Sequence, residues 1–79
     1  MRLDRLDMNL IIALEAILRL RSVTAAAAEL HLTQPALSQA LRRLRDHFED
    51  PIVRQVGRQM LPTEFGHQLG RAAAQLLND

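Results

Sequence analysis

The run Thr33-Gln34-Pro35-Ala36-Leu37-Ser38-Gln39-Ala40-Leu41-Arg42-Arg43-Leu44-Arg45 brings amide, hydroxyl and guanidinium groups together within a few helical turns. The arginine fork pairs bidentately with phosphate or guanine, and Gln and Ser hydrogen-bond to base edges. No acidic residue lies between Glu29 and Asp46, where three arginines and two glutamines do. At about 100° per residue, Leu37, Leu41, Leu44 and Phe48 share one side of a helix. Pro35, Gln39 and Arg42 fall on the other side, flanked by Ser38 and Arg43. A helix that is apolar on one face and carries these groups on the other, near its N-terminus, is suited to reading base edges in a major groove.

The neighbouring elements must hold that helix in place. Thr33 is a good N-cap, and Pro35 suits the first turn, where its missing N–H costs nothing. Before it, a short helix over Ala25–Leu30 is predicted, capped by Ser22 or Thr24. Its four consecutive alanines favour helix and permit close approach. His31-Leu32 is the tight turn between them, so the pair reads as a helix-turn-helix. An ordinary helical hairpin is the commoner object; the Thr-Gln-Pro entry and the acid-free face favour DNA.

Upstream, Met1 to Arg5 read as a lead-in, and Asp7 or Asn9 starts a helix to about Arg21. That helix carries two apolar stripes: Leu6, Leu10, Ala13, Leu14 and Ile17, then Met8, Ile11, Ile12 and Leu18. Two stripes fit either a dimer contact or a small core wrapped around the helix. Downstream of Pro51, Ile52–Val56 and Gln59–Leu61 are β-compatible runs around a Gly57-Arg58 turn. A hairpin there is either a wing, placing Arg54, Gln55 and Arg58 beside the backbone or minor groove, or a plain surface hairpin with solvated arginines. Thr63 caps a last helix to about Leu77, with Glu64 in its first turn. Phe65, Leu69, Ala72 and Leu76 form a heptad-like seam widened by Ala73 and Leu77. The seam suits packing on the first helix, on a second subunit, or on both. With no Gly or Pro stop after Leu77, the helix is expected to continue.

Composition narrows the class. A chain of 79 residues without cysteine is one small domain. It buries only about 60% of its unfolded surface, so it leans on a partner. Hydrophobic residues make up 48% and aromatics 3%, which favours packed helices over a β-sandwich. No apolar run approaches the roughly 20 residues of a membrane span and no secretory signal is evident, so a cytoplasmic protein is expected. The net charge is only +1, yet all ten basic residues are arginine, which fits either bidentate anion recognition or a biased genome.

An enzyme is disfavoured: there is no cysteine, no Gly-rich phosphate loop and no Ser-His-Asp set. Glu64 and His67 have the i, i+3 spacing of di-iron helices, but such sites need further carboxylate-bearing helices, so no metal is expected. His31 is placed at the negative end of the second helix, and His47 and His67 on the surface. RNA binding is weaker still, because stacking aromatics are nearly absent. A helical protein-interaction module would explain the double apolar faces. It would not explain the acid-free Gln/Ser/Arg face.

The chain resembles the N-terminal DNA-binding domain of LysR-type bacterial transcriptional regulators. The matching stretches are Asp7-Met8-Asn9-Leu10, Ser22-Val23-Thr24-Ala25-Ala26-Ala27 and Leu30-His31-Leu32-Thr33-Gln34-Pro35-Ala36-Leu37-Ser38. Leu41-Arg42-Arg43-Leu44, Asp50-Pro51-Ile52, Gly57-Arg58 and Pro62-Thr63 continue the match. The Asp-Pro and Pro-Thr pairs are most similar to the branch with regulators of nodulation and aromatic catabolism. The resemblance implies a mainly α, winged helix-turn-helix fold: a three-helix core, a short β-hairpin wing and a C-terminal linker helix. It implies a DNA-binding domain over residues 1–62, and over 63–79 the start of a dimerisation helix.

Family motif positions place Gln34, Pro35, Ser38 and Gln39 near base edges, on a recognition helix over residues 33–48. Thr24, Thr33, Arg42 and Arg43 lie near phosphates or the groove wall, and Arg54, Gln55 or Arg58 at the wing. Gln can pair bidentately with adenine, and Pro35 can lie against a thymine methyl. Phe65, Leu69, Ala72, Ala73 and Leu76 are the implied dimer contacts of a homodimer on an inverted repeat of double-stranded DNA. No cofactor is implied for this domain; a small-molecule effector would bind a C-terminal domain absent from this sequence. The chain departs from the family at the wing, where the usual arginine two residues before Gly-Arg is Gln55 and Arg54 precedes it. Either the wing slips or bulges to present Arg54, or Arg58 reaches the minor groove instead.

Overall fold

The computed structural model describes residues 6–78, so the lead-in expected over residues 1–5 lies outside them. The elements run α1 (Met8–Leu20), α2 (Val23–Glu29), α3 (Gln34–Phe48), β1 (Val53–Val56), β2 (Gln59–Pro62) and α4 (Glu64–Asn78). Every helix begins at a side chain that accepts an otherwise unpaired N–H. Asp7 accepts from Asn9 at 2.9 Å, Ser22 from Ala25 at 3.0 Å, Thr33 from Ala36 at 3.2 Å and Thr63 from Gly66 at 2.9 Å. The open choices of cap thus resolve to Asp7 and Ser22. Because Ser22 is the cap, α2 starts at Val23 rather than Ala25.

The first three helices close through left-handed residues that are not glycine: Arg21 (φ 55°), His31 (φ 57°) and Glu49 (φ 53°). At the end of α2, His31 N–H donates to the Ala28 carbonyl at 3.3 Å and Leu32 N–H to Ala27 at 2.9 Å. This is a Schellman closure, so His31 works through its backbone while its side chain stays exposed.

The core is built around α1, which touches α2, α3 and α4. Ile11, Leu14 and Ile17 meet Ala26 and Ala27 of α2, Leu37, Leu41 and Leu44 of α3, and Leu69 and Ala73 of α4, all buried. Burying each large aliphatic side chain stabilises the fold by about 1.5–3 kcal/mol. Most of the second stripe on α1 is covered by the chain itself. Ile11 is in the core, and Leu18 packs so closely on Gly70 that an added methyl would come within 2.9 Å of it. Met8, 52% exposed, stands out from that stripe. Arg19 bridges α1 and α2 through Glu15 and Glu29, and its hydrogen bond holds the Glu29 carboxyl below its ordinary range. These groups are solvated, so the bridge adds little stability.

Leu69 and Ala73 have no exposed surface in the single chain. Both side chains pack in the chain's own core, against α1. Phe65 is half-buried against Phe48, with ring centroids 5.6 Å apart, and Ala72 is also half-buried. Leu76, at 40% exposure, is the seam residue that faces solvent.

The two strands pair antiparallel in regular register: Val53 with Pro62, Arg54 with Leu61, Gln55 with Met60, Val56 with Gln59. Gly57 (φ 62°) opens the two-residue turn, the place where a II′ turn needs glycine. Met60 N–H donates to the Arg21 carbonyl at 2.9 Å, tying the hairpin to the end of α1.

Ile52, expected in the first strand, instead forms a turn of its own at φ 67°. Val53 N–H donates back across it to the Pro51 carbonyl at 2.6 Å. A β-branched residue in this γ-turn geometry is strained, by about 1–3 kcal/mol. The surroundings compensate: the Ile52 side chain is fully buried, and an Asp50 oxygen accepts from Ile52 N–H at 2.7 Å and from the Thr63 hydroxyl at 2.9 Å. Thr63 N–H in turn donates to the Ile52 carbonyl at 2.8 Å. The Asp50-Pro51 and Pro62-Thr63 pairs therefore meet at one junction. Asp50→Ala is expected to lower unfolding stability by about 2 kcal/mol in urea titrations, because it strands the Ile52 N–H and leaves the Thr63 hydroxyl only a long 3.4 Å bond to the Ile52 carbonyl. A loss below about 0.5 kcal/mol, the scale of an ordinary surface change, would contradict that role.

Candidate nucleic-acid interface

The exposed surface of α3 divides into three strips along its axis. Pro35 and Arg42 form the crest, which turns acidic at Asp46. Gln34 and Ser38 form one flank, and Gln39 and Arg43 the other; all six non-acidic residues are exposed, as is Thr33 at the helix start. The helix of 15 residues is about 22 Å long, and its diameter of about 10–12 Å matches a major groove about 12 Å wide.

The Gln34–Ser38 flank faces the hairpin. Thr24 of α2, Gln34, Ser38, Gln55 and Arg58 line a single cleft of about 290 Å³. On the opposite flank, Gln39 and Arg43 share a hollow with Asp7, Asn9 and Leu32. Folding thus gathers five of the sequence-predicted residues beside the wing and sends two to the start of α1. Asp7 and Asn9 come beside Gln39 only through the packing of α1 on α3, which sequence spacing does not signal.

The hairpin neither slips nor bulges, which removes that route for presenting Arg54. Strand alternation puts Gln55 on the face of buried Val53, toward the cleft, and Arg54 with exposed Val56 on the other face. Gln55 Nε2 donates to the Gly57 carbonyl at 2.8 Å, so its amide braces the turn. Arg58 is the wing cation that lines the cleft.

Arg45 shares the wing-side flank of α3 but bends inward. Its Nε donates to the Pro51 carbonyl at 2.8 Å and its Nη2 to Val53 at 3.1 Å. Charge alone grouped it with Arg42 and Arg43; only the fold separates them. Among the described residues, no cluster of three or more His, Cys, Asp and Glu could hold a metal, and no helix is long and apolar enough to cross a membrane.

The sequence profile of the bacterial regulatory helix-turn-helix protein, lysR family, matches residues 8–67. Nodulation protein D 3 of Rhizobium meliloti (strain 1021) is 46% identical over 72 residues, covering 91% of this chain and 23% of that protein. Nodulation protein D 2 of Sinorhizobium fredii is 49% identical over 63 residues, covering 80% and 20%. The chain thus spans under a quarter of the length of these curated relatives. A probable transcriptional regulator of Pseudomonas aeruginosa superposes with a TM-score of 0.89 at 40% identity, over 95% of this chain and 25% of that one. BenM DBD, solved in complex with benA site 1 DNA, superposes at 0.86 with 25% identity, over 92% and 82%. With four helices and a two-stranded hairpin in this arrangement among the described residues, the fold is a winged helix-turn-helix, and the chain belongs to the lysR family of bacterial regulatory helix-turn-helix proteins.

Proposed function

We propose that this chain is the sequence-specific, double-stranded DNA-binding part of a transcriptional regulator, with α3 in the major groove and the wing beside the minor groove. The observation that carries this reading is the run Gln34–Arg43, the first ten residues of α3. Gln34, Pro35, Ser38, Gln39, Arg42 and Arg43 are all exposed there without an acid among them, and Arg58 of the wing lies alongside. Gln34, Pro35, Ser38 and Gln39 meet base edges; Thr24, Thr33, Arg42 and Arg43 contact phosphates; Arg58 approaches the minor groove. Phosphate contacts set the register, and base contacts supply the sequence preference. The BenM DBD complex with DNA supports the same docking here.

The chain acts as a homodimer on an inverted repeat. Two copies that present α3 to one face of a duplex place these helices in successive major grooves, about one DNA turn or roughly 34 Å apart. Leu76 and the half-buried Phe65 and Ala72 are the seam positions of α4 with surface left for a second copy. Residues 1–62 form the DNA-reading unit, and 63–79 begin a linker helix toward a domain that binds a small-molecule effector. The unit itself needs no cofactor, is not an enzyme and works in the cytoplasm.

Arg43→Ala tests the phosphate role. Affinity should fall alike on all duplexes, and the slope of log affinity against log salt should shrink by about one. Fluorescence anisotropy on one selected and one scrambled duplex, across a salt series, measures both. A loss confined to the selected duplex would assign Arg43 to a base instead.

A further inference from the structure

Arg45 occupies the helix that reads DNA in the proposal above, yet its guanidinium serves the wing. It is half-buried, and its two bonds end on the carbonyls of Pro51 and Val53. Those residues flank Ile52, the left-handed residue at φ 67°, and Val53 opens β1. One planar group therefore spans the turn from which the hairpin departs. Among the described residues, no other α3 side chain hydrogen-bonds to the hairpin or to the loop before it.

We propose that Arg45 is a positioning residue: it fixes the angle between recognition helix and wing, so that Arg58 meets DNA in step with α3, while Arg45 touches no DNA itself. The inference rests on the DNA-reading role proposed above. Arginine suits the task because its fork offers two donors in one rigid plane to two carbonyls. Lysine, a point charge on a flexible stem, lacks that fixed geometry. With Nε and Nη2 turned to these carbonyls, Arg45 makes no direct phosphate contact along the α3 crest, although the sequence groups it with Arg42 and Arg43. The opposite side of the same turn is held by Asp50 and Thr63 from outside α3, so Arg45 is the link that relates the turn to the reading face.

The test is a double-mutant cycle between two residues that act on one wing. The unchanged chain first selects a duplex from a randomised pool. Affinity for that duplex is then measured for Arg45→Met, Arg58→Ala, the pair, and Arg45→Lys, with thermal melts establishing that each is folded. Arg45→Met and Arg58→Ala should each weaken binding roughly tenfold, and the pair should be less than about twofold worse than Arg58→Ala alone. Arg45→Lys should recover part of the loss, and reselection with Arg45→Met should leave the base preferences under α3 unchanged. If Arg45→Met does not fold, Arg45→Lys takes its place in the cycle.

Additive losses in the pair, altered base preferences under α3, or unweakened binding by a folded Arg45→Met would each overturn the positioning role and leave the DNA-reading role standing. An unchanged chain that binds no duplex would overturn the reading itself, and this role with it.

Discussion

Gly66→Ala is expected to destabilise the chain by roughly 3 kcal/mol or more, above the usual range for an added methylene because the obstacle is backbone. Gly66 sits in the first turn of α4, where its N–H donates to the capping Thr63 hydroxyl. A β-carbon there would overlap the carbonyl oxygen and carbon of Ile52. Neither partner can yield cheaply. The Ile52 carbonyl is fixed by Thr63 N–H, and Ile52 is already held at positive φ with its side chain fully buried. The methyl must therefore push α4 off the loop or flatten the γ-turn, and either movement disturbs the root of the wing. Urea unfolding of Gly66→Ala beside Gly70→Ala measures the effect. At Gly70 the new methyl meets only the end of the Leu18 side chain, which can rotate, so its cost should be clearly smaller. Equal costs at the two positions would contradict the close approach of α4 to Ile52.

Gln39→Ala is expected to remove sequence preference at one base position while leaving binding to arbitrary DNA almost unchanged. Gln39 is exposed on the flank of α3 away from the wing and shares its hollow with Arg43 and Asn9. An amide that donates and accepts at once pairs bidentately with one base edge, and its loss costs about 1–3 kcal/mol on the matching site. Alanine preserves the helix, so stability should hold. Competition binding with the selected duplex and with single-position variants reads the change directly. An equal loss on matched and scrambled duplexes would make Gln39 a backbone contact.

These two residues mark how far the sequence could be read. The helices, their caps at Thr33 and Thr63, and the apolar face of α3 follow from periodicity and local hydrogen bonding, and apart from the earlier start of α2 they stand where expected. The exposed polar face of α3 follows too, because it is the complement of Leu37, Leu41, Leu44 and Phe48. The junction around Ile52 was not legible. An isoleucine beside a valine signals strand, and only contacts from Asp50, Thr63 and Gly66 hold it as a turn. The left-handed helix ends at Arg21, His31 and Glu49 were hidden for a similar reason, since none is the glycine that usually marks such a place.

Long-range packing also decided what local pattern left open. The heptad-like seam of α4 serves α1 at Leu69 and Ala73 and solvent at Leu76, a division invisible in spacing alone. At the wing, the regular ladder keeps Arg54 on the face away from the cleft that Gln55 and Arg58 line, which spacing alone does not show. Charge counting could not tell Arg45 from Arg42 and Arg43, because what separates them is the pair of carbonyls from the following loop.

The most direct test of DNA reading is selection of binding sites from a randomised duplex pool with this chain, at two salt concentrations. Sequence-specific reading by a dimer enriches an inverted repeat whose half-sites are about one helical turn apart, with affinity falling steeply as salt rises. A folded chain that enriches no sequence and binds no duplex at either salt concentration would contradict it and favour a helical interaction module.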